Sequence, residues 1–217
     1  IISPDNSSGD AGSASVGIDA GTLPSRLVVS GASAVPLTDI RLKATNESID
    51  IIKLTVTVAD AHINSAVGDY TQISKVYLKL DGNIVGSSTG YNMGTSNLTI
   101  NLVRGDLTIP DGNIGKKLSV LADIVSIGNN LPGNESADIV MGLGGKGSDG
   151  FTATGNISAA IIPVSLNDTT GSAVVLHKSV PQIVMVTPTN KLSATTALHE
   201  AKITAVGGNI GIYRLSY

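Results

Sequence analysis

Five oxygen-bearing side chains sit in turn-like sequence: Asp81 and Asn83 around Gly82, Asp111 and Asn113 around Gly112, and Asp149 after Ser148. Calcium takes six to eight oxygens from carboxylates, amides and carbonyls, so these are the candidate metal ligands. None of the loops has full EF-hand spacing, and Asx-Gly pairs are also ordinary turns. Calcium is therefore the one candidate cofactor. Six Asn-x-Ser/Thr sites, at Asn6, Asn46, Asn97, Asn134, Asn156 and Asn167, are candidate glycan acceptors on exposed turns. The run Gly142–Gly150 offers clustered backbone N–H groups to an anion. Yet Gly147 separates Lys146 from Ser148, and no helix pattern follows to supply a positive N-terminus. A glycine-rich inter-strand loop is the reading we adopt.

Catalytic chemistry has little to work with. His62, His177 and His199 have no sequence neighbour that would make a ligand pair. Neither a Gly-x-Ser-x-Gly nucleophile elbow nor a His-Glu-x-x-His zinc signature occurs. Cysteine is absent, which removes thiolate nucleophiles, thiolate metal sites and disulfides together. A secreted hydrolase is the weakest of three readings; no enzyme is expected. The second is an adhesin or glycan-binding module. Sugar sites favour aromatic faces, and the chain offers only Phe151 and five tyrosines, of which Tyr77 is the strand residue best placed to be exposed.

The elements that must position these residues are strands. At 217 residues there is room for one well-buried core and a fragment. Aromatics are 3% with no Trp, so the core must come from Val, Ile, Leu and Ala, a usage that suits pleated sheets. Ile40, Leu42 and Ala44 alternate with Arg41, Lys43 and Thr45; Leu54, Val56 and Val58 alternate with Lys53, Thr55 and Thr57. Leu118, Val120, Ala122 and Ile124 repeat the pattern. Such alternation puts one face on a core and the other in water. Asp81-Gly82-Asn83 between two strand-like runs signals a hairpin, and Pro110–Asn113 reads as a further turn. No segment sustains a helical apolar period. The fold expected is all-β, an antiparallel β-sandwich of Ig-like or jelly-roll-like type.

An internal repeat sets the organisation. Displaced by 161 places, Arg41–Thr55 falls on Lys202–Ser216 without a gap (41 + 161 = 202). Ala44, Ile49, Ile51 and Leu54 then meet the identical Ala205, Ile210, Ile212 and Leu215. Both copies read as two strands joined by a short connection. Residues 1–12 read as a linker or donor segment, 13–178 as the sandwich, and 179–217 as a partial second repeat or inter-subunit strands. Two strands alone bury too little to be stable. Ile1 and Ile2, with Leu198, Ile203, Ala205, Ile210, Ile212, Leu215 and Tyr217, are the candidate assembly interface.

The segments Ala14–Asp19, Val28–Gly31, Val35–Leu37 and Arg41–Leu54, with Ile73–Leu78, Leu107–Pro110 and Leu118–Asp123, resemble the tandem β-sandwich repeats of bacterial surface-layer or appendage-type exported proteins. The resemblance covers about Gly12 to Tyr217 and supplies no catalytic residues. It implies an extracellular, cell-surface protein that partners with itself as a polymer or lattice. Formal net charge is −3 with no basic run, so nucleic acid is not expected as a partner. No apolar run reaches the length of a membrane helix. The start at Ile1, without Met or a leader, leads us to expect a mature product or a piece of something longer. Edge-strand pairing between units is the mechanism this reading implies.

Overall fold

The computed structural model of the chain describes residues 12–60, 69–89, 97–144, 150–167, 169–186 and 200–214. Strands are β1 Ser13–Ile18, β2 Arg26–Val29, β3 Val35–Thr45, β4 Ile49–Asp60, β5 Ile73–Leu80, β6 Asn83–Thr89, β7 Asn97–Asn101, β8 Thr108–Ile109 and β9 Gly112–Ile124. They continue as β10 Asp138–Leu143, β11 Phe151–Gly155, β12 Ile161–Ile162, β13 Val164–Leu166, β14 Val174–His177, β15 Val180–Val186 and β16 Glu200–Val206. Among the described residues one 3-10 turn, Asp69–Gln72, is the sole helical element.

Fourteen of these strands make a sandwich. One sheet runs β13-β1-β3-β9-β5-β6; the other runs β12-β11-β4-β10-β14-β2, with β7 and β8 also paired to β4. The all-β sandwich is as the alternation requires. Ile40, Leu42 and Ala44 from β3, Leu54, Val56 and Val58 from β4, and Leu118, Val120, Ala122 and Ile124 from β9 are all buried between the sheets. The expectation of a purely antiparallel sandwich needs correcting at its margins. β1 pairs with β13, and β2 with β14, in parallel. Both sheets are therefore mixed.

Two connections also differ from the sequence reading. β3 and β4 belong to opposite sheets, so Asn46–Ser48 carries the chain across the core. Pro110–Asn113 is not wholly a turn, because Gly112 and Asn113 already belong to β9. Further along, β12 and β13 are two short strands separated by Pro163. Proline has no N–H to give to a ladder, which is why pairing changes partner there.

β15 and β16 stand apart as a two-stranded antiparallel sheet. Residues 207–214 after β16 form no strand, so the second strand expected over Ile210–Tyr217 is absent through Arg214. In the first copy the corresponding β4 is held by four partners, β7, β8, β10 and β11. Nothing equivalent flanks 210–214 among the described residues, so its apolar alternation alone does not extend it.

Candidate assembly site

The C-terminal sheet repeats the first ladder of the sandwich. In β1–β3, Thr45 faces Ser13, Ala44 faces Ala14 and Leu42 faces Val16. In β15–β16, Val206 faces Val180, Ala205 faces Pro181 and Ile203 faces Ile183. Under the 161-residue shift Val206 stands for Thr45, Ala205 for Ala44 and Ile203 for Leu42 (206 − 161 = 45). β15 thus takes the place of β1, and the same alternate residues form the apolar row.

What differs is the cover. Val16, Leu42 and Ala44 are each 1% exposed beneath the second sheet. Ile183 is 60% and Met185 64% exposed, Pro181, Ala201 and Ala205 are exposed, and only Ile203 is half-buried. Residues 209–214 fold back along this row. With Pro181, Ile183 and Ile203 they line an open groove of about 680 Å³, into which Ile210 and Ile212 also face. Of the candidate interface, Ile203, Ala205, Ile210 and Ile212 lie together here; Ile1, Ile2, Leu198, Leu215 and Tyr217 lie outside the described residues.

The junction to this sheet is fixed by Glu135. Its Oε1 lies 2.6 Å from Nδ1 of His177, and its Oε2 accepts the Lys178 N–H at 3.0 Å. The bond from His177, then that from Lys178, holds the Glu135 carboxyl below its usual range. Beyond it, the Ser179 hydroxyl donates to the Asn209 carbonyl at 3.2 Å. His177 therefore has a structural partner at an exposed junction; His62 and His199 lie outside the described residues.

At one end of the sandwich a buried carboxylate does what no motif announced. Glu47, in the crossing between β3 and β4, accepts N–H bonds from Ile157 and Ser158 at 3.0 Å each and the Ser158 hydroxyl at 2.7 Å. The Ser158 backbone N–H, followed by its hydroxyl, lowers the Glu47 carboxyl pKa, against a smaller upward push from burial. The folded pKa lies below the unfolded one, so this stabilisation is present above the ordinary Glu range and is lost as pH falls through the folded value. Glu47→Gln is expected to lower the thermal midpoint at neutral pH. It should also flatten the fall in midpoint on acidification to about pH 3, read by circular dichroism.

The candidate glycan acceptors Asn46, Asn97, Asn134, Asn156 and Asn167 are all exposed; Asn6 lies outside the described residues. Two already use their amides. Asn156 Nδ2 donates to Ser48 Oγ at 3.3 Å, and Asn97 Oδ1 accepts from Thr57 at 3.0 Å. Of the calcium candidates, Asp81 and Asp111 border one hollow, but Arg41, Lys116 and Lys117 border it too. Lys116 Nζ lies 2.5 Å from Asp81 Oδ2. Asn83 opens β6, Asn113 is the second residue of β9, and Asp149 lies outside the described residues. No group of three or more His, Cys, Asp or Glu placed to hold a metal occurs among the described residues. The face of Tyr77 lies under Lys75 Nζ at 4.7 Å, and its hydroxyl donates to Asp123 at 2.6 Å. The bond to Asp123 raises the Tyr77 pKa, and the Lys75 ammonium lies over the ring face on which a sugar would stack.

No family model matches the chain, and no curated protein matches it. Among solved structures, a chain from the CaDoc0917–CaCohA2 complex crystallised at pH 5.5 aligns at 10% identity and TM-score 0.32, over 76% of this chain and 99% of that one. A chain from the Coh-OlpC–Doc435 complex, described as a novel type I cohesin–dockerin complex from Clostridium thermocellum, aligns at 11% and TM-score 0.27, over 80% of this chain and 99% of that one. Likeness at this level carries no argument about what this chain does. No helix among the described residues is long and apolar enough to cross a membrane.

Proposed function

We propose that the protein is a non-enzymatic structural component of the cell surface that assembles with itself through its C-terminal sheet. One observation carries the reading: an apolar ladder that is buried in the sandwich recurs, in the same register, with its face uncovered. Two strands cannot hold such a face in water alone. A neighbouring subunit that covers Ile183, Ile203 and Ile212 supplies what the second sheet supplies to Val16 and Leu42. On this reading residues 13–178 are one complete unit, 179–217 are the first ladder of a second, and 1–12 are a linker or donor segment. Export to the cell surface belongs to the same proposal and is supported by the hydroxyl-rich, charge-poor composition.

Deletion of residues 179–217 tests this. The full chain is expected to form ordered filaments or layers by electron microscopy, with or without a calcium chelator. The shortened chain, which keeps the Glu135 bonds to His177 and Lys178, is expected to stay monomeric with the thermal midpoint of the sandwich unchanged. A full chain that remains monodisperse in both conditions would sink the proposal and bring the adhesin reading forward.

A further inference from the structure

β3 is a central strand, and each of its edges has a partner. One edge takes β1; the other takes β9, with Ile40 opposite Leu118, Arg41 opposite Lys117 and Asp39 opposite Ser119. β16 copies β3, and its first edge takes β15 as β3 takes β1. Its second edge, where β9 would lie, has no strand among the described residues. An open edge is a row of backbone donors and acceptors that templates another strand.

The side chains along that edge repeat part of the same code, although Val186 stands where Asp19 does and offers Lys202 no carboxylate. In the sandwich, Asp39 Oδ2 receives Lys117 Nζ of β9 at 3.1 Å, a diagonal cross-strand pair. Arg41, two residues on, turns away to Asp19, with Nε 2.6 Å from Oδ2. The 161-residue shift puts Glu200 at the place of Asp39 and Lys202 at that of Arg41. Glu200 is exposed, so its carboxylate stands where a cation on the incoming strand would meet it.

We propose that the second edge of β16 is an acceptor for a β9-type strand supplied by another polypeptide. Such a strand runs antiparallel to β16, is apolar at alternate positions, and carries a Lys or Arg diagonal to Glu200. Main-chain pairing supplies the affinity and the alternate side chains supply the choice of register. The inference rests on the assembly reading for the role of this sheet, and it names the kind of strand that docks. β9 itself is held between β3 and β5, so its sequence serves as a probe rather than as the natural donor.

The test uses the full chain and a labelled synthetic peptide of residues 112–124, GNIGKKLSVLADI. Saturable binding by fluorescence anisotropy is expected, with amide-exchange protection gained in β16 and none at β6, the open edge of the sandwich on that side. Glu200→Lys is expected to weaken binding about three- to tenfold, the range for reversing an exposed ion pair. A peptide of the same composition in scrambled order should not bind. Protection at β6 in place of β16, no saturable binding, or an unchanged affinity for Glu200→Lys each overturns the inference. Sedimentation of the same full-chain samples keeps the two proposals apart. Assembly without peptide protection of β16 leaves the structural reading standing and this inference refuted. Protection of β16 in a chain that stays monomeric does the reverse.

Discussion

Leu42→Ala is expected to lower the unfolding free energy by about 2–5 kcal/mol, whereas Ile203→Ala, at the same place in the repeat, changes it by less than about 1 kcal/mol. Leu42 is 1% exposed, with Val16 opposite it on β1. Truncation there removes buried methyl groups and leaves a cavity that the two sheets close only in part. Domains of this size are stable by about 5–15 kcal/mol, so one such loss is a large share of the whole. Ile203 has an identical ladder position but lies half-buried beside an open groove. Water already reaches its surroundings, and little cavity is created. Its cost should appear in the assembled state, as a higher concentration needed for filament or layer formation. Guanidinium unfolding of dilute samples reads the first quantity, and sedimentation across a concentration series reads the second. If the two substitutions destabilise the dilute monomer alike, β15–β16 belongs to the cooperative core and the open-ladder account is wrong.

The contrast between these two positions also explains which parts of the molecule could be read from residues alone. Ile40, Leu42 and Ala44 alternate with charged and polar neighbours because one face of β3 is buried, and that periodicity survives in the sequence. The same pattern in Ile210, Ile212 and Leu215 led to a strand that does not form through Arg214. Alternation records which face would be buried; it does not record whether a neighbouring strand is present to extend the backbone. Strand direction is invisible for a related reason. A period of two looks alike in parallel and antiparallel pairs, so β1–β13 and β2–β14 gave no sign of themselves. Glu47 was hidden more deeply. Its donors, Ile157 and Ser158, are 110 and 111 residues away, and a Glu between Asn46 and Ser48 reads as an ordinary polar connection. The one local sign was that Asn46-Glu47-Ser48 and Asn156-Ile157-Ser158 share a sequon pattern, which pointed to glycans rather than to the bond between the two turns. The repeat, by contrast, was legible because it compares the chain with itself and needs no knowledge of partners.

Thr169→Val should cost about 1–3 kcal/mol although it exchanges groups of nearly equal size. Thr169 is 6% exposed, and its hydroxyl bridges both backbone groups of Leu143: it accepts the N–H at 3.2 Å and donates to the carbonyl at 2.6 Å. β14 pairs with β10 only at Asp138 and Ile139, so the rest of that edge needs another cover. The Gly171 N–H reaches the Met141 carbonyl at 2.8 Å, and the Thr169 hydroxyl completes the row at Leu143. A side chain here substitutes for a missing ladder bond, and valine would leave a buried donor and a buried acceptor unpaired. Thr169→Ser keeps the hydroxyl and should retain most of the stability. The Leu143 amide should lose its exchange protection in the valine variant and keep it in the serine one. If valine proves neutral, the edge of β10 tolerates exposure and the covering role of residues 169–171 fails. If it costs what the geometry implies, the sandwich guards its ladder down to a single hydroxyl.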